Sequence, residues 1–443
     1  MVRPMNDVRT PGWKAILAVT VGAGALLWHV LACTESPMAF SPGGKDLAFV
    51  TMTPYDLENL HLAGKHVYRL CVRPGDGRVR VVAETRRFML TAPTYSPDGK
   101  CLAYLRIPLL TDKATKKLRG QAEARAKMLG DLPRVEPLDM PAPKAPDANQ
   151  PKTKDLVLPP FGKTLEFCKG VFAGGVAPVE LVIRDALATD VVLATTTIDL
   201  PVFDFANDKP GESLAYLYVL ARPQYSPDGQ WVYFCAGKVV VAVNPKTGGQ
   251  KILAAPATVA MLSPDGKMLA ALHDKTVLFV ATDGQRTTAV RWEKDLSASG
   301  IVWTDNQTLA LLSPDDNQVR LHRLRTDGQL VRSTTLPSPK VTADLSTGEL
   351  AIAPDGKHMV VAYGKEVQFL DANGKVLRRW QSDKEMLSQP TFAPDGKRVA
   401  FKRFAGTDKH STVSQIVLFS PEGKRLSAEA LPPPPASRPA KAK

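Results

Sequence analysis

Short apolar runs alternate with polar positions along most of the chain, and turn residues separate them at close intervals. Thr276-Val277-Leu278-Phe279-Val280-Ala281 leads through Thr282-Asp283-Gly284-Gln285 to Thr287-Thr288-Ala289-Val290. Glu366-Val367-Gln368-Phe369-Leu370 leads in the same way through Ala372-Asn373-Gly374-Lys375 to Val376-Leu377-Arg378-Arg379-Trp380. Runs of this length, rich in β-branched and aromatic residues, predict strands, and Asp-Gly or Asn-Gly between them predicts tight hairpins. The 37 prolines argue the same way, because proline interrupts long helices.

A second phrase stands ahead of these hairpins and recurs. It reads Phe40-Ser41-Pro42-Gly43-Gly44-Lys45, Tyr95-Ser96-Pro97-Asp98-Gly99-Lys100 and Tyr225-Ser226-Pro227-Asp228-Gly229-Gln230. It returns as Leu262-Ser263-Pro264-Asp265-Gly266-Lys267, Ile352-Ala353-Pro354-Asp355-Gly356-Lys357 and Phe392-Ala393-Pro394-Asp395-Gly396-Lys397. A degenerate copy, Val302-Trp303-Thr304-Asp305-Asn306-Gln307, completes the set. Proline presets φ at the first corner of a turn, aspartate binds nearby amides, and glycine takes the left-handed conformation that closes the hairpin. Asn306 is expected in that same conformation, which asparagine tolerates better than most side chains. The pairs Asp98–Gly99, Asp228–Gly229, Asp265–Gly266, Asp305–Asn306, Asp355–Gly356 and Asp395–Gly396 are therefore structural turns, one per repeat.

The intervals between successive turn positions are 55, 130, 37, 40, 50 and 40 residues. A period near 40, built of short strands, defines the four-stranded blade of a β-propeller. The expected fold is all-β: a seven-bladed propeller of four-stranded antiparallel blades over residues 36–431. The 130-residue interval is long enough to hold an eighth blade. No strand is left over at either end, so the ring is expected to close by packing of blade faces.

The repeated phrase followed by an apolar strand resembles the WD-like propeller repeats of the TolB family. It is also similar to the propeller lids of the prolyl oligopeptidase and dipeptidyl peptidase families. The resemblance covers residues 38–431 apart from one interruption, and it implies fold rather than function. Two departures stand out. TolB carries an α/β domain ahead of its propeller, whereas Ser36 leads directly into the first repeat. The peptidases carry a hydrolase domain, for which no stretch of this sequence remains.

The interruption falls inside blade two. Its first strands end near Arg106, and its second hairpin resumes at Val179-Glu180-Leu181-Val182-Ile183-Arg184 and Val191-Val192-Leu193-Ala194. Residues 107–178 thus form an insertion, with a basic helix expected over 112–129, capped by Thr111 or Asp112, and an extended Pro-rich linker over 133–160. An insertion at this place emerges on one rim of the disc. Residues 432–443, rich in proline and ending in lysine, are expected to be a disordered basic tail.

At the N-terminus, Arg3, Arg9 and Lys14 precede an apolar run from Ala15 to Ala32 that only Thr20 and His29 interrupt. A basic head before an apolar core is an export pattern, so residues 1–32 are expected to be a signal peptide or membrane anchor. Val30-Leu31-Ala32-Cys33 resembles a bacterial lipobox and makes Cys33 the candidate lipidation site. An uncleaved anchor and plain secretion remain as alternatives. Cys71, Cys101, Cys168 and Cys235 follow without a Cys-x-x-Cys pair. They fit buried strand positions, and outside the cytoplasm they are also able to form up to two disulfides whose pairing the spacing leaves open.

The net charge of +13 fits acidic partners. With export, those are envelope proteins, anionic lipid or anionic wall polymer rather than nucleic acid. Catalytic chemistry finds no motif. There is no Gly-x-Ser-x-Gly elbow and no His-Glu-x-x-His, and Gly162-Lys163-Thr164 lacks the earlier glycine of a phosphate loop. His61, His66, His273, His322, His358 and His410 fall at unrelated places in their repeats. No catalytic, cofactor-binding or metal-ligating residue is expected. The function expected is a non-catalytic, exported propeller that acts as a protein-interaction scaffold at the cell envelope. The alternatives are an enzyme or carbohydrate-binding protein centred on the channel, and a lid or sensor subunit of a separate hydrolase.

Overall fold

Each recurring corner joins the first two strands of a small antiparallel sheet, and seven such sheets follow one another along the chain. The computed structural model describes residues 37–53, 67–75, 77–108, 152–155, 176–188, 191–201, 222–236, 239–254, 257, 259–273, 275–284, 287–292, 300–315, 318–339, 348–405 and 412–431. The expected export segment with Cys33, the basic helix over 112–129, Cys168 and the Pro-rich tail lie outside the described residues. Among the described residues, no helix is long and apolar enough to cross a membrane.

Blade 1 holds β1 (Ala39–Phe40), β2 (Leu47–Thr53), β3 (Val67–Arg73) and β4 (Arg80–Thr85). Blade 2 holds β5 (Phe88–Leu90), β6 (Thr94–Tyr95) and β7 (Cys101–Pro108) and then, after β8 (Lys152–Asp155), β9 (Val176–Asp185) and β10 (Val192–Pro201). Blade 3 is β11 (Gln224–Tyr225), β12 (Val232–Ala236), β13 (Val239–Val243) and β14 (Gln250–Ala254). Blade 4 is β15 (Val259–Leu262), β16 (Met268–His273), β17 (Thr276–Ala281) and β18 (Thr287–Arg291). Blade 5 is β19 (Ile301–Trp303), β20 (Thr308–Asp315), β21 (Gln318–Arg325) and β22 (Leu330–Leu336). Blade 6 is β23 (Glu349–Ile352), β24 (His358–Ala362), β25 (Glu366–Asp371) and β26 (Val376–Gln381). Blade 7 is β27 (Glu385–Phe392), β28 (Val399–Ala405), β29 (Thr412–Phe419) and β30 (Arg425–Ala430).

The first strands form the hub. β1 touches β6, β6 touches β11, β15 touches β19, β19 touches β23, β23 touches β27, and β27 returns to β1. The corners and the hairpins between third and fourth strands share one rim. The turns between second and third strands, and the passages from blade to blade, share the other. The 130-residue interval therefore contains the insertion and the second hairpin of blade 2, and the described residues form seven blades.

Two local details differ from the sequence pattern. The first strand of blade 2 is split, with β5 and β6 both pairing with β7. Thr91 makes the break: its Oγ1 accepts the Leu105 N–H at 3.0 Å, and its own N–H donates to the Leu105 carbonyl at 3.1 Å. Pro93, two residues on, has no N–H to donate. The second detail is β8. Part of the stretch expected to be linker adds a fifth strand to blade 4, with Lys152–Asp155 antiparallel to Thr288–Arg291.

The core lies between blades rather than within them, because a four-stranded sheet buries its two faces only against neighbours. Blades 6 and 7 meet through Phe369, Phe401 and Phe419, whose ring centroids are 5.4–6.0 Å apart. Each such ring contributes about 1.5–3 kcal/mol relative to exposure. The seam between the last and first blades is built the same way, from Met38, Leu47, Phe49, Cys71, Ala400, Ile416 and Leu418. Three cations cross it. Arg398 Nη2 donates to the Gly44 carbonyl at 2.6 Å, Lys402 Nζ to the Val50 carbonyl at 2.9 Å, and Arg73 pairs with Glu429. Among the described residues, no strand is exchanged at this seam. Closure rests on faces and these polar crossings.

Cys71, Cys101 and Cys235 are free thiols, so no disulfide joins the described cysteines. Burial pushes the Cys71 and Cys235 thiols up to about 12.

Candidate functional site

The corners come first, because six of the seven copies carry an aspartate at the same place. In blade 2, Ser96 N–H donates to the Cys101 carbonyl at 2.9 Å and Gly99 N–H to the Ser96 carbonyl at 2.8 Å. Asp98 Oδ1 accepts from Ser96 Oγ at 2.6 Å and from the Lys100 N–H at 3.1 Å. Blades 3 and 4 repeat this with Ser226–Asp228 and Ser263–Asp265. The serine hydroxyl holds the Asp98 and Asp228 carboxyls below the usual range. Ala353 and Ala393 replace the serine in blades 6 and 7, where Asp355 and Asp395 still accept the Lys357 and Lys397 N–H groups at 2.9 Å.

Gly44, Gly99, Gly229, Gly266, Gly356 and Gly396 all have φ between +68° and +73°. Across the blade boundary, the proline of one corner packs on the glycine of the next: Pro394 on Gly44, Pro42 on Gly99, Pro97 on Gly229, Pro227 on Gly266 and Pro354 on Gly396. The phrase thus joins blades as well as strands. Nothing lies within 4 Å of the Gly356 Cβ position, since the preceding corner has no proline.

That corner, in blade 5, corrects one expectation. Asn306 does not have a positive φ; Gln389 is the non-glycine residue that does among the described residues. Without the proline, the corner is one residue shorter. Thr304 N–H donates to the Thr308 carbonyl at 2.9 Å, and Asp305 Oδ1 accepts the Gln307 and Thr308 N–H groups at 2.7 Å. The shorter loop closes without a left-handed residue. In the corners the turn residues are engaged by hydrogen bonds within the loop itself.

The hub strands hold what the sequence pattern missed. Gln224 of β11 reaches the next blade, donating to the Ala260 carbonyl at 3.0 Å and accepting the Leu262 N–H at 2.9 Å. Trp303 Nε1 donates to the Met261 carbonyl at 2.9 Å. Between blades 6 and 7, the buried Glu349 accepts the N–H of Gln389. Gln389 sits in a bulge of β27 with φ +58°, directly before Pro390. Its Oε1 and the neighbouring Ser388 Oγ are buried without a hydrogen-bond partner. A left-handed conformation costs such a residue about 1–3 kcal/mol and persists only where its surroundings impose it.

Further out in blade 6, Glu366 is fully buried and pairs with Arg379. Gln368 Nε2 bonds Glu366 Oε1 and the Pro337 carbonyl, each at 3.0 Å. Burial raises the nearby Tyr363 hydroxyl above its ordinary range, and the Glu366 charge adds to the effect. A sequence signal existed: Glu349 begins an otherwise apolar run, and Glu366 and Gln368 interrupt another. Among the described residues, no three His, Cys, Asp or Glu side chains are placed to hold a metal ion. His322 packs edge-on against Trp292, with ring centroids 4.8 Å apart, and His358 lies 3.8 Å from Glu422.

The strand order, the hub cycle and the corner ring make the chain a seven-bladed β-propeller of WD-like repeats. No family model matches it, and no curated protein does. Solved structures similar to it include the Cps50 (Swd1) β-propeller domain of Myceliophteria thermophila, at 14% identity and a TM-score of 0.34, covering 48% of this chain and 87% of that one. A prolyl endopeptidase is similar at 13% identity and a TM-score of 0.46, covering 96% of this chain and 55% of that one. A TolB from Agrobacterium tumefaciens is similar at 13% identity and a TM-score of 0.36, covering 47% and 79%. Likenesses at this level concern fold alone and carry nothing about activity.

Proposed function

We propose that the protein is a non-catalytic, exported propeller that serves as a protein-interaction scaffold at the cell envelope. The insertion 107–178, and the rim that it leaves, supply the contact surface. One observation carries this reading. The long connections 54–66, 109–151, 202–221, 340–347 and 406–411 all join strand ends on the rim opposite the corners. A rigid ring with its long loops gathered on one rim is the usual arrangement for recognition. The basic head and apolar run of residues 1–32, with Cys33 after them, support export and membrane attachment. The positive charge favours an acidic envelope protein, with anionic lipid or wall polymer as further ligands.

Photo-crosslinkers placed in cells within residues 111–160, and in parallel at Lys267 on the corner rim, test the proposal. Crosslinks to an envelope protein from the insertion, weakened by added salt, are the expected result. Fractionation of the protein with the cytoplasm, or crosslinks from Lys267 alone, would overturn it. Gln389 and Ser388 favour a second reading, a small polar ligand such as a sugar held at the hub. Thermal stabilisation by an oligosaccharide panel, lost in Gln389→Ala, would select it.

A further inference from the structure

The hairpin between the third and fourth strands carries glycine and polar residues at its tip in six blades. These tips are Gly75-Asp76-Gly77, Lys246-Thr247-Gly248, Thr282-Asp283-Gly284, Thr326-Asp327-Gly328, Ala372-Asn373-Gly374 and Pro421-Glu422-Gly423. Blade 2 departs from them. Its tip reads Ala186-Leu187-Ala188-Thr189-Asp190-Val191, without glycine, and Val192 and Leu193 follow. Leu187, Val191, Val192 and Leu193 are 55%, 43%, 47% and 56% exposed, four of the seven exposed large apolar side chains among the described residues. The other three, Val331, Leu377 and Leu426, stand singly on three different blades, which is ordinary for a surface.

The tip is braced from within. Arg184, 1% exposed, donates from Nε to the Asp185 carbonyl at 3.2 Å and from Nη2 to the Ala188 carbonyl at 2.6 Å. Asp185 Oδ1 accepts the N–H groups of Leu187 and Ala188 at 2.9 and 2.8 Å. The Ala186 N–H donates to the Lys100 carbonyl at 2.9 Å and so ties the hairpin to the corner of its own blade. β9 and β10 shift register between Val192 and Ala194, which makes Leu193 the extra residue of a bulge, a device that re-aims a side chain. Four half-exposed aliphatic side chains present on the order of 300 Å² of apolar surface, the size at which a patch marks an interaction site. Because the turn is preorganised, little ordering cost opposes its use in binding.

We infer that this apolar hairpin is the contact through which two copies of the chain associate about a two-fold axis. Charge selects a second copy over other occupants. Asp98 and Asp185 border the patch together with Lys100 and the underlying Arg184, so both signs are present in equal number. An anionic lipid surface or an acidic protein calls for a basic surround and would meet these carboxylates instead. A two-fold pair sets the patch against itself and allows Asp185 of one copy to meet Lys100 of the other. The chain carries a net +13, so copies repel through basic faces and approach best where the signs balance. The hairpin stands on the corner rim, and the long connections on the opposite rim stay free in both copies. The pair therefore presents two of the contact surfaces proposed above, although the association does not depend on that reading. A contact of this size falls near the lower end for specific interfaces, about 1,200 Å² in total, and is expected to dissociate in the micromolar range.

Sedimentation velocity of the full-length protein from about 1 to 100 µM is expected to show a reversible dimer, with Kd raised at least about tenfold in Leu187→Glu/Leu193→Glu. Both side chains are more than half exposed, so the urea midpoint of that variant should match the parent. A photo-crosslinker at Val192, in a mixture of isotopically heavy and light protein, locates the contact. Peptide pairs of mixed isotope that join residues 185–193 of one copy to the same residues of the other are the expected result. If the midpoint of the glutamate variant falls, these pairs decide alone. A monomer throughout the concentration range overturns the inference. A dimer that the glutamates leave intact overturns it too, as association through the apolar run from Ala15 to Ala32 would give. Crosslinks confined to one chain, as cover by its own insertion would give, also overturn it.

Discussion

The ammonium of Lys402 in the last blade donates to the carbonyl oxygen of Val50 in the first, 352 residues apart, in a site closed to solvent. The bond crosses the seam where the ring closes without strand exchange. Lys402→Met keeps the volume and removes the donor from the buried Val50 carbonyl. The expected loss is about 1–3 kcal/mol in urea unfolding. An unchanged midpoint would show that apolar packing alone closes the ring.

Two glycines separate the costs within a corner. Gly266 and Gly356 have nearly the same positive φ, but a Cβ at Gly266 would overlap Pro227, while one at Gly356 meets nothing within 4 Å. Gly356→Ala is expected to cost about 1–2 kcal/mol from backbone conformation alone. Gly266→Ala should cost that and roughly 1–3 kcal/mol more, from displacing the neighbouring blade. Equal losses in the two variants would refute the proline-on-glycine contact as a stabilising feature.

Glu366 is buried and pairs with Arg379. Arg379→Leu strands a carboxylate in the interior and is expected to destabilise by about 3–5 kcal/mol. Adding Glu366→Gln to that variant removes the stranded charge and should recover part of the loss. A double variant no more stable than Arg379→Leu would show that the pair does not act as a unit.

Alkaline pH should weaken the fold. Cys71 and Cys235 titrate near 12 in the folded protein against 9.0 for the unperturbed group, so the unfolded chain releases its thiol protons first. Their contribution is intact below pH 9 and is lost as pH rises from 9 toward 12. The slope is on the order of 1.4 kcal/mol per pH unit for each thiol. Urea melts of parent and Cys235→Ala between pH 9 and 11 check this, the variant showing the shallower decline. Native alkylation at pH 8, mapped by mass spectrometry, should also leave both thiols unlabelled.

How much of this was legible in the sequence varied with the range of the interaction. The corners at Asp98–Gly99 and Asp395–Gly396 were readable because a turn is specified by the residues within it. The hairpins around Gly284 and Gly374 were readable for the same reason. Asn306 misled because its loop is one residue shorter, and loop length outranks the preference of a single side chain. Gln389 gave no signal, since its left-handed conformation comes from the bulge and from Glu349 in the neighbouring blade. β8 gave none either: nothing in Lys152-Thr153-Lys154-Asp155 names the edge it joins.

The sequence by itself determined the repeat, its period and the class of fold, because strand alternation and turn chemistry act over a few residues and are written locally. Tertiary structure alone decided how Pro227 meets Gly266, how Lys402 closes the ring on Val50, and which edge the insertion covers. Those contacts join residues far apart in the chain, and their partners are chosen by the geometry of seven sheets packed around one axis.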